Sequence, residues 1–180
     1  MVYMLLGKGF EETEAVAPLD LLRRAGVQVL TVGIGGKHIT GGHNITLQAD
    51  ITLEEMDLTQ LEMIIVPGGL GGVASVLASK KAMDALAFAR DNDKYIAAIC
   101  AGPTVLARLG ITDGKAVTCY PGCEAQMGNA KVAENAACVR DQKVITGTSA
   151  GCAIPFGLML VAALKGEEAA EAIRTQIVIR

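Results

Sequence analysis

The sequence predicts an α/β fold, in which helices cover both faces of a mostly parallel sheet and a small antiparallel hairpin is attached. Apolar runs of strand length alternate with helical patterns along the 180 residues, which is typical of parallel strands joined by crossover helices. The chain is 51% hydrophobic, which suffices for the core of one compact domain. Glycines and alternating apolar residues between Gly33 and Asp50 predict the hairpin.

The first half of the chain begins with a strand that leads into an amphipathic helix. This helix is predicted over Glu12 to Ala25, with two arginines in its last turn and Gly26 as its end. Pro18 inside it predicts a kink or a later start. The predicted strands and hairpin arms of this half are Val2 to Leu6, Val27 to Val32, Ile39 to Thr40, Ile45 to Leu47 and Met63 to Val66.

The second half continues the alternation and ends in helices. The segment Ser149 to Leu164 is apolar on nearly every side, so a buried helix is predicted there. No repeat or linker interrupts the sequence, and we therefore expect one domain over residues 1–180. The other predicted helices are Val73 to Leu77, Lys80 to Arg90 and Glu167 to Arg174, and the predicted strands are Ile96 to Ile99, Ala116 to Cys119, Cys138 to Arg140 and Lys143 to Thr146.

Composition and charge limit the cellular location and the classes of binding partner that we expect for this protein. No apolar run approaches the ~20 residues of a membrane span, and Met1 leads into a strand without a basic segment. We therefore expect no membrane segment and no leader. The net charge of −3, without a block of like charge, argues against direct nucleic-acid binding. Five cysteines, odd in number and without paired spacing, favour a reducing cytoplasm and free thiols.

An apolar strand runs directly into a cysteine in the segment Ile96 to Pro103. Small residues after Cys100 can open a helix, and such a strand-to-helix turn lifts the side chain above the sheet edge. The free N–H groups of a helix start lower a thiol pKa, so we expect Cys100 to be partly thiolate near neutral pH. A cysteine at a strand end is also commonly a buried packing residue, and that interpretation stays open for the segment taken alone.

Two further loops follow strands and should meet Cys100, because ligands of parallel sheets bind beyond the carboxyl ends of the strands. The run Gly7 to Glu14 carries three carboxylates at a helix start. Acidic residues there also suit the helix dipole, but Glu14 lies far enough into the first turn to point toward the sheet edge. Gly68 and Gly69 follow the next buried strand, and they suit either an oxyanion site or a tight turn.

Three motifs, in this order and spacing, are similar to those of the ThiJ/PfpI superfamily, specifically the branch of the Parkinson-disease-associated protein deglycase, and the similarity extends to a fourth stretch near the last long helix. The resemblance covers essentially the whole chain. It implies a flavodoxin-like three-layer sandwich, a homodimer and a reactive cysteine paired with an acid. The three motifs are Lys8 to Glu14, Val66 to Gly69 and Ala97 to Pro103, and the fourth stretch is Gly147 to Gly151.

The resemblance also implies roles for individual residues. By position, the nucleophile falls on Cys100 and its partner carboxylate on Glu14. The oxyanion N–H groups fall on Gly69 and Ala101, and Gly68 belongs to the same pocket.

One pocket position departs from the disease-linked relative, which has a histidine where this chain has Tyr120. Bacterial-type relatives also tend to carry an aromatic residue there. The two histidines of the chain, His38 and His43, both fall in the predicted hairpin. Protease and glutamine amidotransferase mechanisms, which related branches use, need an imidazole near the cysteine and are therefore disfavoured.

A thiolate beside a carboxylate, without an imidazole, suits aldehyde carbonyls, because addition to an aldehyde expels no amine. We predict a cofactor-independent enzyme in which Cys100 attacks an α-oxoaldehyde such as methylglyoxal and Glu14 shuttles a proton. The resemblance extends the substrates to early glycation adducts on proteins and nucleotides. The alternative is an oxidative-stress sensor or redox-responsive chaperone that uses the same oxidisable cysteine. Cys119 and Cys123 lack a second ligand cluster, so we expect no metal site.

Overall fold

Residues 1–179 are described by the computed structural model, which contains eleven strands and six helices in that range. The strands are β1 (Val2–Leu6), β2 (Val29–Gly33), β3 (His38–Thr40), β4 (Thr46–Gln48), β5 (Ile51–Thr52), β6 (Met63–Val66), β7 (Tyr95–Ile99), β8 (Ala116–Val117), β9 (Lys131–Val132), β10 (Cys138–Asp141) and β11 (Val144–Gly147). The helices are α1 (Glu12–Arg24), α2 (Leu70–Ala78), α3 (Lys80–Asp91), α4 (Pro103–Arg108), α5 (Ala153–Lys165) and α6 (Glu167–Gln176).

Seven strands form the central sheet, in the order β10-β11-β7-β6-β1-β2-β5. All neighbours in it are parallel except β10 and β11, which form an antiparallel hairpin at one edge. Because β6 lies between β1 and β7, the carboxyl ends of these three strands meet at one edge of the sheet. The separate β3–β4 hairpin is antiparallel, with Ile39 opposite Leu47, and a short β8–β9 pair is parallel.

Two apolar layers cover the sheet, since successive side chains of a strand point to opposite faces. On one face Leu5 and Ile64 pack with residues of α2, α3 and α4. On the other face Met4 and Ile65 pack with residues of α1, α5 and α6. Each of these four side chains is at most 1% exposed, and complete burial of such a side chain contributes about 1.5–3 kcal/mol. The predicted α/β sandwich with its hairpin is confirmed. The loops at the strand ends are attached to a sheet that is packed on both faces.

Strand β2 begins at Val29 rather than Val27, α2 begins at Leu70 rather than Val73, and strands β5 and β9 were not predicted. Three further details differ from the sequence prediction. Helix α1 begins at Glu12, so Pro18 does not delay its start. The strand predicted over Ala116 to Cys119 ends at Val117, because the N–H of Thr118 donates to the side-chain Oγ1 of Thr146 at 2.8 Å rather than to a neighbouring strand.

The third difference concerns the long apolar segment near the end. It opens with a 3-10 turn over Ala150–Cys152, and α5 begins only at Ala153. The longest helices described, α1 and α5, have 13 residues each. Within residues 1–179, none of the helices combines the length and apolar character needed to cross a membrane.

Candidate active site

Cys100 occupies a strained turn between β7 and α4. Its φ is 65°, a left-handed conformation that side chains other than glycine rarely adopt. The backbone is held on both sides: the N–H of Cys100 donates to the carbonyl of Gly147 at 2.9 Å, and its carbonyl accepts from the N–H of Tyr120 at 2.8 Å. The predicted strand-to-helix elbow is confirmed, and such strain persists only where surrounding contacts over-determine it.

The first turn of α1 places Glu14 beside this cysteine. The side chain is 1% exposed, and its Oε2 accepts a hydrogen bond of 2.9 Å from the N–H of Gly68. The backbone N–H of Ala150 also faces the carboxyl group. Among the described residues, Oε1 of Glu14 has no partner at full hydrogen-bond geometry. That oxygen is therefore available to the thiol of Cys100, which lies within hydrogen-bonding reach.

Gly68 is the spacer that lets these two side chains meet. A Cβ atom at this position would lie 2.7 Å from the Cβ of Cys100 and would also collide with Oε2 of Glu14. Both separations are shorter than any ordinary carbon contact. Glycine is therefore required at position 68 for the thiol and the carboxyl group to be neighbours.

Burial sets the protonation of the pair. It raises the pKa of Glu14 from 4.5 to about 7, and the nearby charge of Glu11 acts in the same direction. Burial also raises the pKa of Cys100 from 9.0 to about 12, followed by the repulsive charge of Glu14, while the N–H groups of Ala101 and Gly69 act against it. The expected lowering of the thiol pKa is therefore wrong. Desolvation and a neighbouring carboxylate outweigh the start of α4, a helix of only six residues.

Two backbone N–H groups are directed at the Cys100 sulfur, those of Gly69 and Ala101. Gly69 precedes α2 and has a φ of 83°. A Cβ there would lie 2.5 Å from the backbone N of Glu11 and the backbone O of Gly9, so only glycine fits. Donors that converge beside the sulfur are placed to stabilise an oxyanion formed on an attached carbonyl carbon.

Tyr120 lies in the loop that binds the carbonyl of Cys100. Its side chain is 48% exposed. The ring therefore stands at the protein surface next to the elbow rather than in the core.

The remaining thiols lie elsewhere, and all five cysteines are free. Cys119 is 4% exposed, and burial raises its pKa to about 11. Burial likewise raises the pKa of Cys138, to about 12, and that of Cys123. Cys138 also lines a surface cavity of about 370 Å³ next to α5 and α6, which Cys100 does not line. Cys119, Cys123 and Cys138 pack in or against the core. Within residues 1–179, no buried carboxyl group like that of Glu14 lies beside them.

A contact that the sequence did not predict joins the hairpin to α1. The buried Glu12 accepts from the backbone N–H of His43 at 2.7 Å and pairs with its Nδ1 at 2.9 Å. With Glu11 these residues bring one donor atom each within 4.8 Å of one another, a spacing that could hold a metal ion. Glu11, however, already accepts from the N–H of Glu14 at 2.6 Å. Glu12 and His43 are 31 positions apart in the sequence, so no local pattern could have predicted their contact.

Comparison with known proteins identifies similar sequences and structures. The DJ-1/PfpI family matches residues 1–163. The Parkinson disease protein 7 homolog of Danio rerio is 33% identical over 181 residues, covering 98% of this chain and 96% of its own length. A protein named deglycase from Pyrococcus abyssi is 31% identical over 131 residues, 73% of this chain and 78% of that relative. The crystal structure of Drosophila melanogaster DJ-1beta is similar at a TM-score of 0.94 and 30% identity, covering 99% of this chain and 97% of that one. The chain belongs to the DJ-1/PfpI family.

Proposed function

We propose that this protein is a cofactor-independent enzyme that converts α-oxoaldehydes to hydroxy acids, with Cys100 as nucleophile and Glu14 as proton carrier. The observation that supports it most directly is a buried carboxyl group with a pKa of about 7 against a thiol in a strained elbow. An acid or base is most effective when its pKa is near the working pH. Glu14 is therefore suited to accept and return protons at neutrality, which Cys100 alone is not.

The first step joins the substrate to the enzyme. The thiol of Cys100 adds to the aldehyde carbon of methylglyoxal, and the carboxylate of Glu14 takes the thiol proton as the S–C bond forms. The electron pair of the C=O bond moves to oxygen, where the N–H groups of Gly69 and Ala101 donate to it. Glu14 then returns the proton to this oxygen, and the product is a neutral hemithioacetal.

The second step moves hydrogen between two carbons. The ionised Glu14 removes the proton from the former aldehyde carbon, which leaves an enediolate, and returns this proton to the former ketone carbon. The hydroxyl proton of the hemithioacetal moves to the neighbouring oxygen, so that the first carbon becomes a carbonyl carbon and the second carries the hydroxyl group. This leaves a lactate thioester on Cys100. Water adds to the thioester carbonyl, the thiolate departs and regains a proton. The sum is methylglyoxal plus water to lactate, which consumes no oxidant, reductant or cofactor.

Early glycation adducts are the second substrate class that this chemistry supports. They form by reversible addition of an amine or guanidine to the same aldehydes, so an attack by Cys100 on the adduct carbon releases the amine and gives the same hemithioacetal. Two observations favour this class: the Pyrococcus relative is named deglycase, and Tyr120 borders the elbow at an exposed position. A glycated protein or nucleotide is the partner that this proposal names.

The test is turnover by the purified protein. Wild type should form lactate from methylglyoxal, and Cys100→Ser should form none above the rate of heat-inactivated protein, because a serine hydroxyl is a far weaker nucleophile. Cys138→Ser is the matched control and should keep wild-type activity. Lactate formation by Cys100→Ser at the wild-type rate would refute the assignment. Release of free amine from a pre-formed adduct, measured after unbound aldehyde has been removed, separates the two substrate classes.

A second function, an oxidative-stress sensor or redox-responsive chaperone, is favoured by the unpartnered Oε1 of Glu14. A protonated Glu14 can donate to the oxygens of an oxidised Cys100, which stabilises the sulfinate relative to further oxidation. The two functions compete for the same sulfur. Mass spectrometry after graded peroxide treatment tests the sensor: the sulfinate on Cys100 should accumulate, and in Glu14→Gln it should accumulate more slowly or proceed to sulfonate.

We also propose that two copies of the chain form a homodimer through α1 and the hairpin. Val16 and Ile45 are apolar yet 44% and 55% exposed. They lie on one surface, because Glu12 and Val16 are four residues apart on the helix and the N–H of Ile45 approaches Glu12 at 3.4 Å. Sedimentation velocity should give a dimer for wild type and a monomer for Val16→Arg. Val178→Arg, at another exposed apolar position, is the control, and a monomeric wild type would refute the dimer.

A further inference from the structure

Two backbone segments outside the elbow hold the reacting pair. In the first, Gly147 accepts the N–H of Cys100 at 2.9 Å, and three residues later the N–H of Ala150 faces Glu14. In the second, the N–H of Tyr120 donates to the carbonyl of Cys100 at 2.8 Å. The first segment therefore binds Cys100 directly and brings an N–H group close to Glu14, and the second fixes the strained residue from its other side.

Side-chain hydroxyl groups join these two segments. Oγ1 of Thr118 lies 2.8 Å from Oγ1 of Thr148, and Oγ1 of Thr148 donates to the carbonyl of Ala136 at 2.5 Å. Oγ1 of Thr118 also lies 3.3 Å from the same carbonyl oxygen, so both hydroxyl groups meet at Ala136 and either of them can donate to the other. The N–H of Thr118 is held in turn by Oγ1 of Thr146 at 2.8 Å. Thr118 is 1% exposed, and buried hydrogen bonds of this kind tolerate little displacement.

We propose that this threonine clasp, Thr118 with Thr148, is the positioning element that holds Cys100 in its strained conformation against Glu14. Thr148 directly follows Gly147 and precedes Ala150 by two residues, so a shift of Thr148 moves both contacts at once. Thr118 precedes Tyr120 by two residues, so a displacement of Thr118 also moves the N–H group that binds the carbonyl of Cys100. A left-handed cysteine needs such support from outside its own turn. Neither threonine touches the substrate; both act through the backbone.

A role of the clasp in catalysis rests on the proposed function. Its effect on the geometry of Cys100 does not, because that geometry governs how fast the thiol reacts with any electrophile. The test is therefore alkylation of Cys100 by iodoacetamide, followed by peptide mass spectrometry across pH 5–9. In Thr148→Val, which keeps the side-chain shape and removes the hydroxyl group, alkylation at pH 7 should slow about three- to tenfold, the worth of one net hydrogen bond. The midpoint of the pH profile should move upward, because Glu14 loses part of the donor that stabilises its charge.

Three further variants distinguish a specific effect on the position of Cys100 and Glu14 from a general disturbance of the structure. Thr148→Ser keeps the hydroxyl group and should retain the wild-type rate and midpoint. The double variant of Thr118→Val and Thr148→Val should lose less than the sum of the two single losses, because the single variants share the bond between the two hydroxyl groups. Thr46→Val is the matched control, since it removes a similar hydroxyl pair, Thr40 with Thr46 at 2.9 Å, in the exposed hairpin. If Thr148→Val does not fold, Thr148→Ala removes the same hydroxyl group and carries the same expectations.

A wild-type rate and midpoint in the folded Thr148→Val protein would overturn the clasp, and so would an equal loss in Thr148→Ser or Thr46→Val. These outcomes are distinguishable from failure of the proposed function. A protein that forms no lactate but shows the shifted alkylation profile supports the clasp and refutes the enzyme. If the wild-type protein forms lactate and Cys100 of the clasp variants is alkylated at the wild-type rate, the enzyme is supported and the clasp is refuted.

Discussion

The stability of Glu14→Gln relative to wild type should increase between pH 5 and pH 8. The pKa of this carboxyl group rises from 4.5 in the unfolded chain to about 7 in the folded one, so the folded state binds the proton more tightly. Its contribution to stability is fully present below pH 4.5 and is lost as the pH rises through 7. Above that pH the folded protein holds a buried carboxylate beside Cys100. Glutamine has the same shape and does not titrate.

The magnitude follows from the shift. A displacement of roughly 2.5 pH units, at about 1.4 kcal/mol each, corresponds to about 3 kcal/mol. For a protein of this length that equals roughly 6–12 °C in Tm. Packing differences between the two side chains are nearly independent of pH, so the change in ΔΔG of unfolding between pH 5 and pH 8 isolates the charge. Because wild type loses the stabilising proton as the pH rises, the free energy of unfolding of Glu14→Gln should increase relative to wild type at pH 8.

Urea unfolding followed by circular dichroism at pH 5 and pH 8 measures it. Asp20→Asn is the control, because Asp20 lies on the exposed side of the same helix, where it pairs with Arg24; its ΔΔG should differ little between the two pH values. An equal ΔΔG for Glu14→Gln at both pH values, or a destabilisation that grows with pH, would refute a raised carboxyl pKa. The same variant should lose about 10²- to 10⁴-fold in turnover, the usual contribution of a positioned acid or base, while its thiol is still alkylated.

Three further outcomes are expected. Tyr120→Phe should lower turnover by no more than about tenfold, the worth of one hydrogen bond to the substrate, with an unchanged pH profile; a loss beyond a hundredfold or a shifted acidic limb would give Tyr120 a role in proton transfer. Mild peroxide should modify Cys100 before the other four cysteines, because a buried carboxyl group can take its proton, and peptide mapping that finds another cysteine first would move the reactive centre. The Glu12–His43 pair should stabilise the fold most between about pH 4.5 and 6.5, since the pKa of Glu12 is lowered and that of His43 raised: stability falls as Glu12 is protonated below this window and as His43 loses its proton above it. Thermal melts of His43→Asn should lose the fall in stability above this window and keep the fall below it, because the backbone N–H groups of residues 43 and 45 still donate to Glu12. His38→Asn, at an exposed hairpin position, should keep both.

Much of the site could be predicted from the sequence because parallel strands bring their carboxyl ends together. Cys100, Glu14 and Gly68 follow β7, β1 and β6, which are neighbours in the sheet, so motifs far apart in the chain converge at one edge. The glycines also carried a local signal, since positions 68 and 69 accept no side chain. Strand periodicity and the elbow motif were sufficient for this part.

Other parts of the site depend on contacts that no local pattern encodes. Glu12 and His43 meet across 31 residues, and Thr118 and Thr148 meet across 30. Threonine is also common in strands and loops without any such role. The protonation of the pair is a third case, because it depends on the depth of burial and on which charge lies beside the thiol, and neither quantity can be read from a motif.

The corrected thiol pKa changes how the elbow should be understood. A cysteine lowered by a helix start would be a thiolate at rest, and Glu14 would only need to donate a hydrogen bond. With the pKa of Cys100 raised to about 12 and that of Glu14 to about 7, the pair instead keeps the thiol proton until an electrophile arrives. In the proposed mechanism Glu14 accepts that proton as the S–C bond forms, so that addition and deprotonation are coupled. The proposal thus gives a buried carboxyl group the proton-accepting role that an imidazole would otherwise fill, and it requires no histidine at position 120.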